Sequence, residues 1–307
     1  MILVTGTTGL SGSAVIRECV GRGLPVRALV RNANKVTALG IPGTVELVEG
    51  DMLKPDTLEE ALDDVERVLL ISSPDQHLVE TQCTFIDAAK RAGVRHIVKL
   101  SGMGCWSDST FRFARMHAEV ERYLEGSGLA WTHLRPSTFM QTHLRDAVPT
   151  ISHDGTLNLP MGDAQLSPVD VQDIAQVAVA LLHGNDHEGK RYDMSGPEAL
   201  TTTEIAAHVS SATNRPVRYV DTPSADYHDA LLAAGVPTYF VDAMDELFSE
   251  RRQGADESRP NLSTHHLLDV TPTSFASFVG RHAEVFRGEA PASRLTATGW
   301  QPSSAAR

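Results

Sequence analysis

Through the first half of the chain, short runs rich in Val, Leu and Ile alternate with segments whose apolar residues return every three or four positions. Runs of strand length with no polar alternation are buried on both faces, and the helical segments between them supply the covering layers. The pattern therefore predicts an α/β fold, a doubly wound parallel sheet wrapped by helices. Predicted strands cover residues 1–5, 26–30, 45–48, 68–71, 96–100 and 131–134. A helix over 11–22 turns Val15, Ile16, Cys19 and Val20 to one side and stops at Gly23. Asp56 and Glu59 have the spacing of a capping box at the start of the next. Helices are also predicted over 75–91, with Val79, Cys83 and Ile86 inward, and over 111–125, burying Met116, Val120 and Leu124 before Gly126.

After Pro136 strands become scarce. A helix over 171–182, opened by Asp170 and Asp173 as capping and dipole-compensating acids, returns to the sheet. Helices over 225–234, 240–252 and 273–287 form a small lobe above it, the last carrying Phe275, Phe278 and Phe286 as a core stripe. The expected organisation is a dinucleotide-binding core over 1–150 with 169–195 returning to it, and a substrate-covering lobe over 196–287. The aperiodic Ala-, Ser- and Pro-rich tail over 288–307 is expected to be disordered.

Composition narrows the partners. Twenty-seven basic against 39 acidic side chains leave a net charge of −12, with no Lys/Arg block, so nucleic acid is excluded as an expected partner. The three cysteines, Cys19, Cys83 and Cys105, lie far apart and predict neither a disulfide framework nor a zinc site. His183 and His187 fall on a loop, and no metal is expected. With no leader-like start and no apolar stretch long enough to span a bilayer, the expected setting is cytoplasmic, without a membrane partner.

Gly6-Thr7-Thr8-Gly9-Leu10-Ser11-Gly12 follows the first predicted strand and opens the first predicted helix, the context in which a glycine fingerprint has a mechanism. The first glycine allows the tight turn, the second lets backbone approach a pyrophosphate, and the third lets helix pack on strand while the helix N-terminus faces the anion. The second strand ends Leu29-Val30-Arg31-Asn32, without the acid that binds a ribose 2′-hydroxyl, so Arg31, aided by Lys35, suits a 2′-phosphate and favours NADP(H). Asp51, with Met52 beside it, fits either an adenine contact or a plain turn.

Several stretches together resemble the NmrA-like, atypical branch of the short-chain dehydrogenase/reductases: Val4-Thr5-Gly6-Thr7-Thr8-Gly9, Ile97-Val98-Lys99-Leu100-Ser101, Gly128-Leu129-Ala130-Trp131-Thr132-His133-Leu134-Arg135-Pro136 and Val169-Asp170-Val171-Gln172-Asp173. The resemblance implies a Rossmann sheet of order 3-2-1-4-5-6, NADP(H) along its carboxyl edge, and a smaller lobe closing over the nicotinamide. It also implies that Ser72, Ser73, Pro136, Ser137 and Phe139 lie near the nicotinamide half.

Ketone-reducing members use a Tyr to donate a proton, with a Lys four residues later lowering its pKa. Here Ser101 closes the fifth strand and the following helix reads Phe113-Ala114-Arg115-Met116-His117, placing Phe and His at those positions. Phe cannot donate a proton. His117 and Ser101 are the candidate substitutes, while Cys105 has no neighbouring base.

The reading is an NADPH-dependent oxidoreductase acting on a small conjugated or aromatic acceptor such as a quinone, imine or activated olefin. The acceptor is expected near Phe139, Met140, Trp106 and the segment around Tyr239. Acceptors that need no strong acid from the protein fit better than simple ketones. A non-catalytic NADP-binding redox sensor with a protein partner, and a non-redox isomerase or cyclase, are the alternatives. A homodimer is left open. An open aromatic pocket over the nicotinamide favours the enzyme, a plugged one the sensor.

Overall fold

A computed structural model of the protein describes residues 1–32 and 43–295. The chain runs β1 (Ile2–Val4), α1 (Leu10–Gly21), β2 (Val26–Val30), β3 (Glu46–Glu49), α2 (Glu59–Leu62), β4 (Arg67–Leu70), α3 (Leu78–Arg91), β5 (His96–Leu100), α4 (Arg112–Gly126) and β6 (Ala130–Pro136). It continues through α5 (Met140–Arg145), α6 (Val148–Asp154), β7 (Thr156–Leu159), β8 (Gln165–Leu166), α7 (Val171–His183) and β9 (Lys190–Met194). Then follow β10 (Leu200–Thr201), α8 (Thr202–Thr213), β11 (Arg218–Asp221), α9 (Ser224–Ala233), α10 (Thr238–Arg252), α11 (Ser263–Leu267), α12 (Phe275–Arg281) and α13 (Ala283–Phe286).

Seven strands form one parallel sheet in the order β3-β2-β1-β4-β5-β6-β9. This is the expected order with a seventh strand, β9, which its exposed charges at Lys190 and Arg191 hid from hydropathy. Side chains alternate along each strand. Ile2, Val4, Val98, Leu100 and Leu134 meet α1 and α7 on one face, whereas Leu3, Leu70 and Ile97 meet α3 and α4 on the other. The same alternation sends Lys99, His133 and Arg135 toward α4. Between β1 and β4 the winding reverses direction, which opens a crevice at the carboxyl ends of these strands.

A second core draws on Met140, Leu144, Val148, Ile151, Leu157 and Leu166 together with Ile205, Phe248, Phe275, Phe278 and Phe286. Residues 140–150, expected with the sheet, therefore pack in the smaller lobe, because Met140 turns away from β6 into that cluster. Two short strand pairs, β7 with β11 and β8 with β10, brace the lobe. The expected helix over 273–287 is broken at His282, which ends α12 and begins α13. Disorder expected from residue 288 does not hold through 295. Leu295 is buried in the second core and Arg294 pairs with Glu284, giving this stretch an anchor that its composition conceals.

The predicted capping box at Asp56 does not form, since Pro55 starts a 3₁₀ turn and α2 begins after Leu58 with no side-chain cap. Asp170 does cap α7, accepting from Gln172 N at 2.9 Å. Among the described residues, no helix is long and apolar enough to cross a membrane.

Candidate active site

The loop between β1 and α1 is built from backbone. Gly6 adopts φ 61° and accepts the Gly9 N–H at 2.9 Å, a turn closed to side-chain-bearing residues without strain. A Cβ on Gly12 would lie 2.3 Å from Gly6 O, so the third glycine is required for α1 to meet β1 at all. At Gly9 a Cβ would approach only Gly6 O, at 3.2 Å. Thr8 and Gly9 are exposed on the outer side of the loop, and the first turn of the twelve-residue α1 carries no acid. The result is a glycine turn open to solvent with positive helix-end character.

Side chains in this loop face inward more than the motif suggests. Thr7 is buried and donates to Leu29 O at 2.8 Å, tying the loop to β2, so it is a brace. Ser11 is buried and Leu10 packs against the sheet core. Arg31, just past β2, is exposed and has no hydrogen bond to a described side chain, while Lys35 lies outside the described residues. Asp51 accepts from Leu53 N at 3.1 Å, the bond of a turn-forming aspartate, and Met52 rests against the core.

Toward the other end of the crevice, Ser72 Oγ accepts from Gln82 Nε2 at 2.9 Å and Ser73 is exposed. Pro136 and Ser137 end β6. Ser137 donates its N–H to Met194 O, but its buried hydroxyl has no partner. That orphaned hydroxyl lines a cleft of about 1070 Å³ between the sheet edge and the lobe. Ser101, Phe113, His117 and Phe139 form the cleft wall on the sheet side, and Tyr227, Phe240, Met244 and Phe248 face them from α9 and α10. Phe113 sits edge-on to Phe111, ring centroids 5.6 Å apart, and 6.1 Å from Phe240.

Two expected wall residues lie elsewhere. Met140 is buried in the lobe core, and Trp106 is half-exposed, donating to Asp256 at 2.8 Å. The segment around Tyr239 does reach the cleft through Phe240, while Tyr239 itself is held by Arg112 outside it. A clasp joins the halves. Arg112 grips Glu246 with contacts down to 2.7 Å, and the Glu250 carboxylate accepts from Ser109 Oγ (2.7 Å), Thr110 Oγ1 (2.8 Å) and Phe111 N (3.1 Å).

Of the two candidate acids, Ser101 lines the cleft, but its hydroxyl lies 3.4 Å from Cys105 Sγ, inside the protein. His117 is better placed. Lys99 Nζ stands 2.8 Å from its Nδ1, and no described residue hydrogen-bonds its Nε2. An ammonium can only donate, so Nδ1 accepts and the imidazole proton sits on Nε2. Burial first, and the Lys99 charge second, push the His117 pKa well below its usual range, keeping the ring neutral. A neutral imidazole lining the cleft with its proton on Nε2 is a hydrogen-bond donor for an acceptor oxygen or nitrogen.

Sequence reasoning passed over Lys99, whose side chain is fully buried within a strand otherwise reading as apolar. A lysine inside such a run was the available signal. Behind it lie Glu121 and Arg135, a buried ion pair with Arg135 Nε 3.0 Å from Oε1. Burial alone would raise the Glu121 pKa, but hydrogen bonding from Arg135, with nearby positive groups, outweighs it and holds the carboxyl at about 2. Glu121, Glu125 and His133 bring ligand-type atoms within 4.8 Å of one another. Arg135 and Arg191 already neutralise those carboxylates, so the cluster is a charge network. Burial raises the Cys105 thiol, consistent with an unreactive sulfur.

The sequence matches the NmrA-like family over residues 1–278. It is 37% identical over 295 residues to an NAD(P)H azoreductase of Xenophilus azovorans, covering 93% of this chain and 99% of that one. It is also 37% identical to a (4-alkanoyl-5-oxo-2,5-dihydrofuran-3-yl)methyl phosphate reductase of Streptomyces griseus, covering 94% and 100%. The NADPH-dependent quinone oxidoreductase of Escherichia coli, solved with NADPH, superposes with a TM-score of 0.82 at 29% identity, covering 92% of this chain and 99% of that one. A seven-stranded sheet in Rossmann order, a glycine cradle at its switch point and relatives aligned nearly end to end agree: this chain belongs to the NmrA-like family.

Proposed function

We propose that the protein is an NADPH-dependent oxidoreductase that reduces small conjugated or aromatic acceptors, of the quinone, imine or activated-olefin class. The observation that carries this reading is an open cleft of about 1070 Å³, with Phe113, Phe139, Tyr227, Phe240 and Phe248 in its walls, meeting the sheet edge where Ser137 leaves a buried hydroxyl unpaired. A regulator that only reports cofactor state has no need of such a space.

Bound NADPH supplies the hydride. The 6–12 loop would hold the pyrophosphate with backbone N–H groups, and Arg31 would receive the 2′-phosphate. Ser137, whose buried hydroxyl has no partner, would serve the carboxamide end. Phe113, Phe139 and Phe240 sandwich a flat acceptor and exclude water, and His117 donates at Nε2 to the heteroatom that gains electron density.

The test follows NADPH oxidation with panels of quinones and unactivated ketones, using C4-deuterated cofactor. Label transfer to a quinone is expected. Tight NADPH binding with no label transfer to any acceptor would overturn the enzyme reading in favour of the sensor.

A further inference from the structure

Lys99 has no structural account in the fold. Its side chain is fully buried toward the carboxyl end of β5, between Val98 and Leu100, and burying an ammonium is costly unless it is well paired. Among the described residues no carboxylate touches it. Its nitrogen meets His117 Nδ1 at 2.8 Å and, distantly, Leu100 O at 3.5 Å. So a buried cation is spent on the Nδ1 of His117, an imidazole that lines the cleft and whose Nε2 no described residue hydrogen-bonds.

We infer that Lys99 is the proton reservoir for His117, the ammonium passing a proton to Nδ1 as Nε2 gives its own proton to the heteroatom of the acceptor. This deepens the reductase reading and rests on it. Without Lys99, loss of the Nε2 proton would leave an imidazolate, which makes neutral imidazole a poor acid. With it, the Nε2–H bond breaks as a new O–H or N–H bond forms on the acceptor. An Nζ–H bond breaks as Nδ1–H forms, the ring ends neutral in its other tautomer, and the lysine ends as an amine. The positive charge lost from Lys99 matches the negative charge that hydride from NADPH brings to the acceptor. A proton from solvent, carried in by water entering the cleft, adds to Nε2 while Nδ1 returns its proton to the amine, and the starting state with its positive charge is restored. His117 is thus the catalytic residue and Lys99 positions and recharges it.

The surroundings suit this role. Burial lowers the Lys99 pKa to about 8, with Arg135 on β6 adding to the effect, while Glu121 on α4, Cys105 after β5 and Cys83 on α3 oppose it. Glu250, the carboxylate of α10 that lines the same cleft, is already taken by the 109–111 segment. The reservoir is therefore charged at neutral pH and emptied as pH rises through about 8.

The test compares two acceptors. A quinone gains a heteroatom proton, whereas a cationic triarylmethane dye becomes neutral on hydride addition and needs none. Lys99→Met should lower kcat for the quinone at least about tenfold more than for the dye, in line with what general acids contribute. With wild type, the quinone rate should fall above pH about 8 while the dye rate does not. Equal loss with both acceptors, or none with either, overturns the relay while leaving the reductase reading intact. Failure of wild type to reduce either acceptor overturns the reductase reading and the relay with it.

Lys99→Arg keeps a charged donor that does not release its proton. Quinone turnover as slow as in Lys99→Met supports the relay, and restored turnover overturns it, leaving Lys99 purely structural. Should the variants fail to fold, nitrogen-15 histidine spectra of the cofactor-free wild type decide. A neutral His117 with its proton on Nε2, whose Nδ1 signal shifts as pH rises through about 8, supports the relay. A proton on Nδ1, or an imidazolium at neutral pH, overturns it.

Discussion

The loop after β1, proposed to hold the pyrophosphate, and the cleft beyond β5, proposed to take the acceptor, are built in different ways. The loop works through main chain. Its function resides in a φ of 61° at Gly6, a closed turn to Gly9 and a helix–strand approach that leaves 2.3 Å for any Cβ on Gly12. The cleft works through side chains that β5, α4, β6, α9 and α10 bring together from distant parts of the chain. Backbone sites constrain residue type at fixed local spacing, whereas side-chain sites constrain only the positions that packing makes neighbours.

The strongest way to break that contrast is to load the two loop glycines. Gly9→Val should abolish dinucleotide binding, a loss of at least about 100-fold by titration calorimetry, with circular dichroism and thermal midpoint close to wild type. Gly12→Val should instead fail as a fold, because its Cβ collides with backbone. Equal unfolding of both would mean that the loop glycines serve packing alone.

A second measurement addresses the side-chain end. Glu121→Ala leaves Arg135 buried without its partner and should cost about 3–5 kcal/mol in urea unfolding at pH 7. The Glu121 carboxyl is held at about 2 in the folded protein, below its usual 4.5. Its stabilisation is therefore complete above pH 4.5 and lost as pH falls toward 2. The gap between wild type and variant should narrow on acidification, and a constant gap would assign the cost to lost packing.

Arg31→Ala sharpens the adenosine end. The preference for NADPH over NADH, expected at about tenfold or more from a charge-assisted contact of about 1.5–3 kcal/mol, should vanish in paired dissociation constants. A surviving preference would move the 2′-phosphate contact away from Arg31. The smallest effect is expected at the clasp. Arg112→Ala removes a partly exposed pair with Glu246, worth about 1 kcal/mol or less of stability. It should raise KM for the acceptor more than it lowers kcat, since α10 then covers the cleft less firmly.

Legibility followed the same division. The six leading strands and the helices that cover them could be read because a doubly buried sheet needs short apolar-rich runs, as in Val26–Val30, where Arg27 alone interrupts the apolar residues. β9 could not, because its outer residues Lys190 and Arg191 carry charge and its burial depends on pairing with β6. Phe113 and His117 were legible from their spacing on one helix, and both reach the cleft wall. Trp106 and Met140 were expected there on chemical character alone, and packing sent one to solvent and the other into the lobe core.

While the strand order came only from what the family resemblance implies, the amino-acid sequence by itself determined the α/β class, the glycine loop and the missing acid after β2. Each of these depends on local rules: periodicity, turn conformation, or one residue at the end of one strand. Only the tertiary structure decided that Lys99 points toward α4, that it meets Nδ1 of a residue eighteen positions away, and that no described residue hydrogen-bonds Nε2. The reason is geometric. Strand alternation offers Lys99 two faces, and which face holds a partner is settled by the packing of α4 across the sheet.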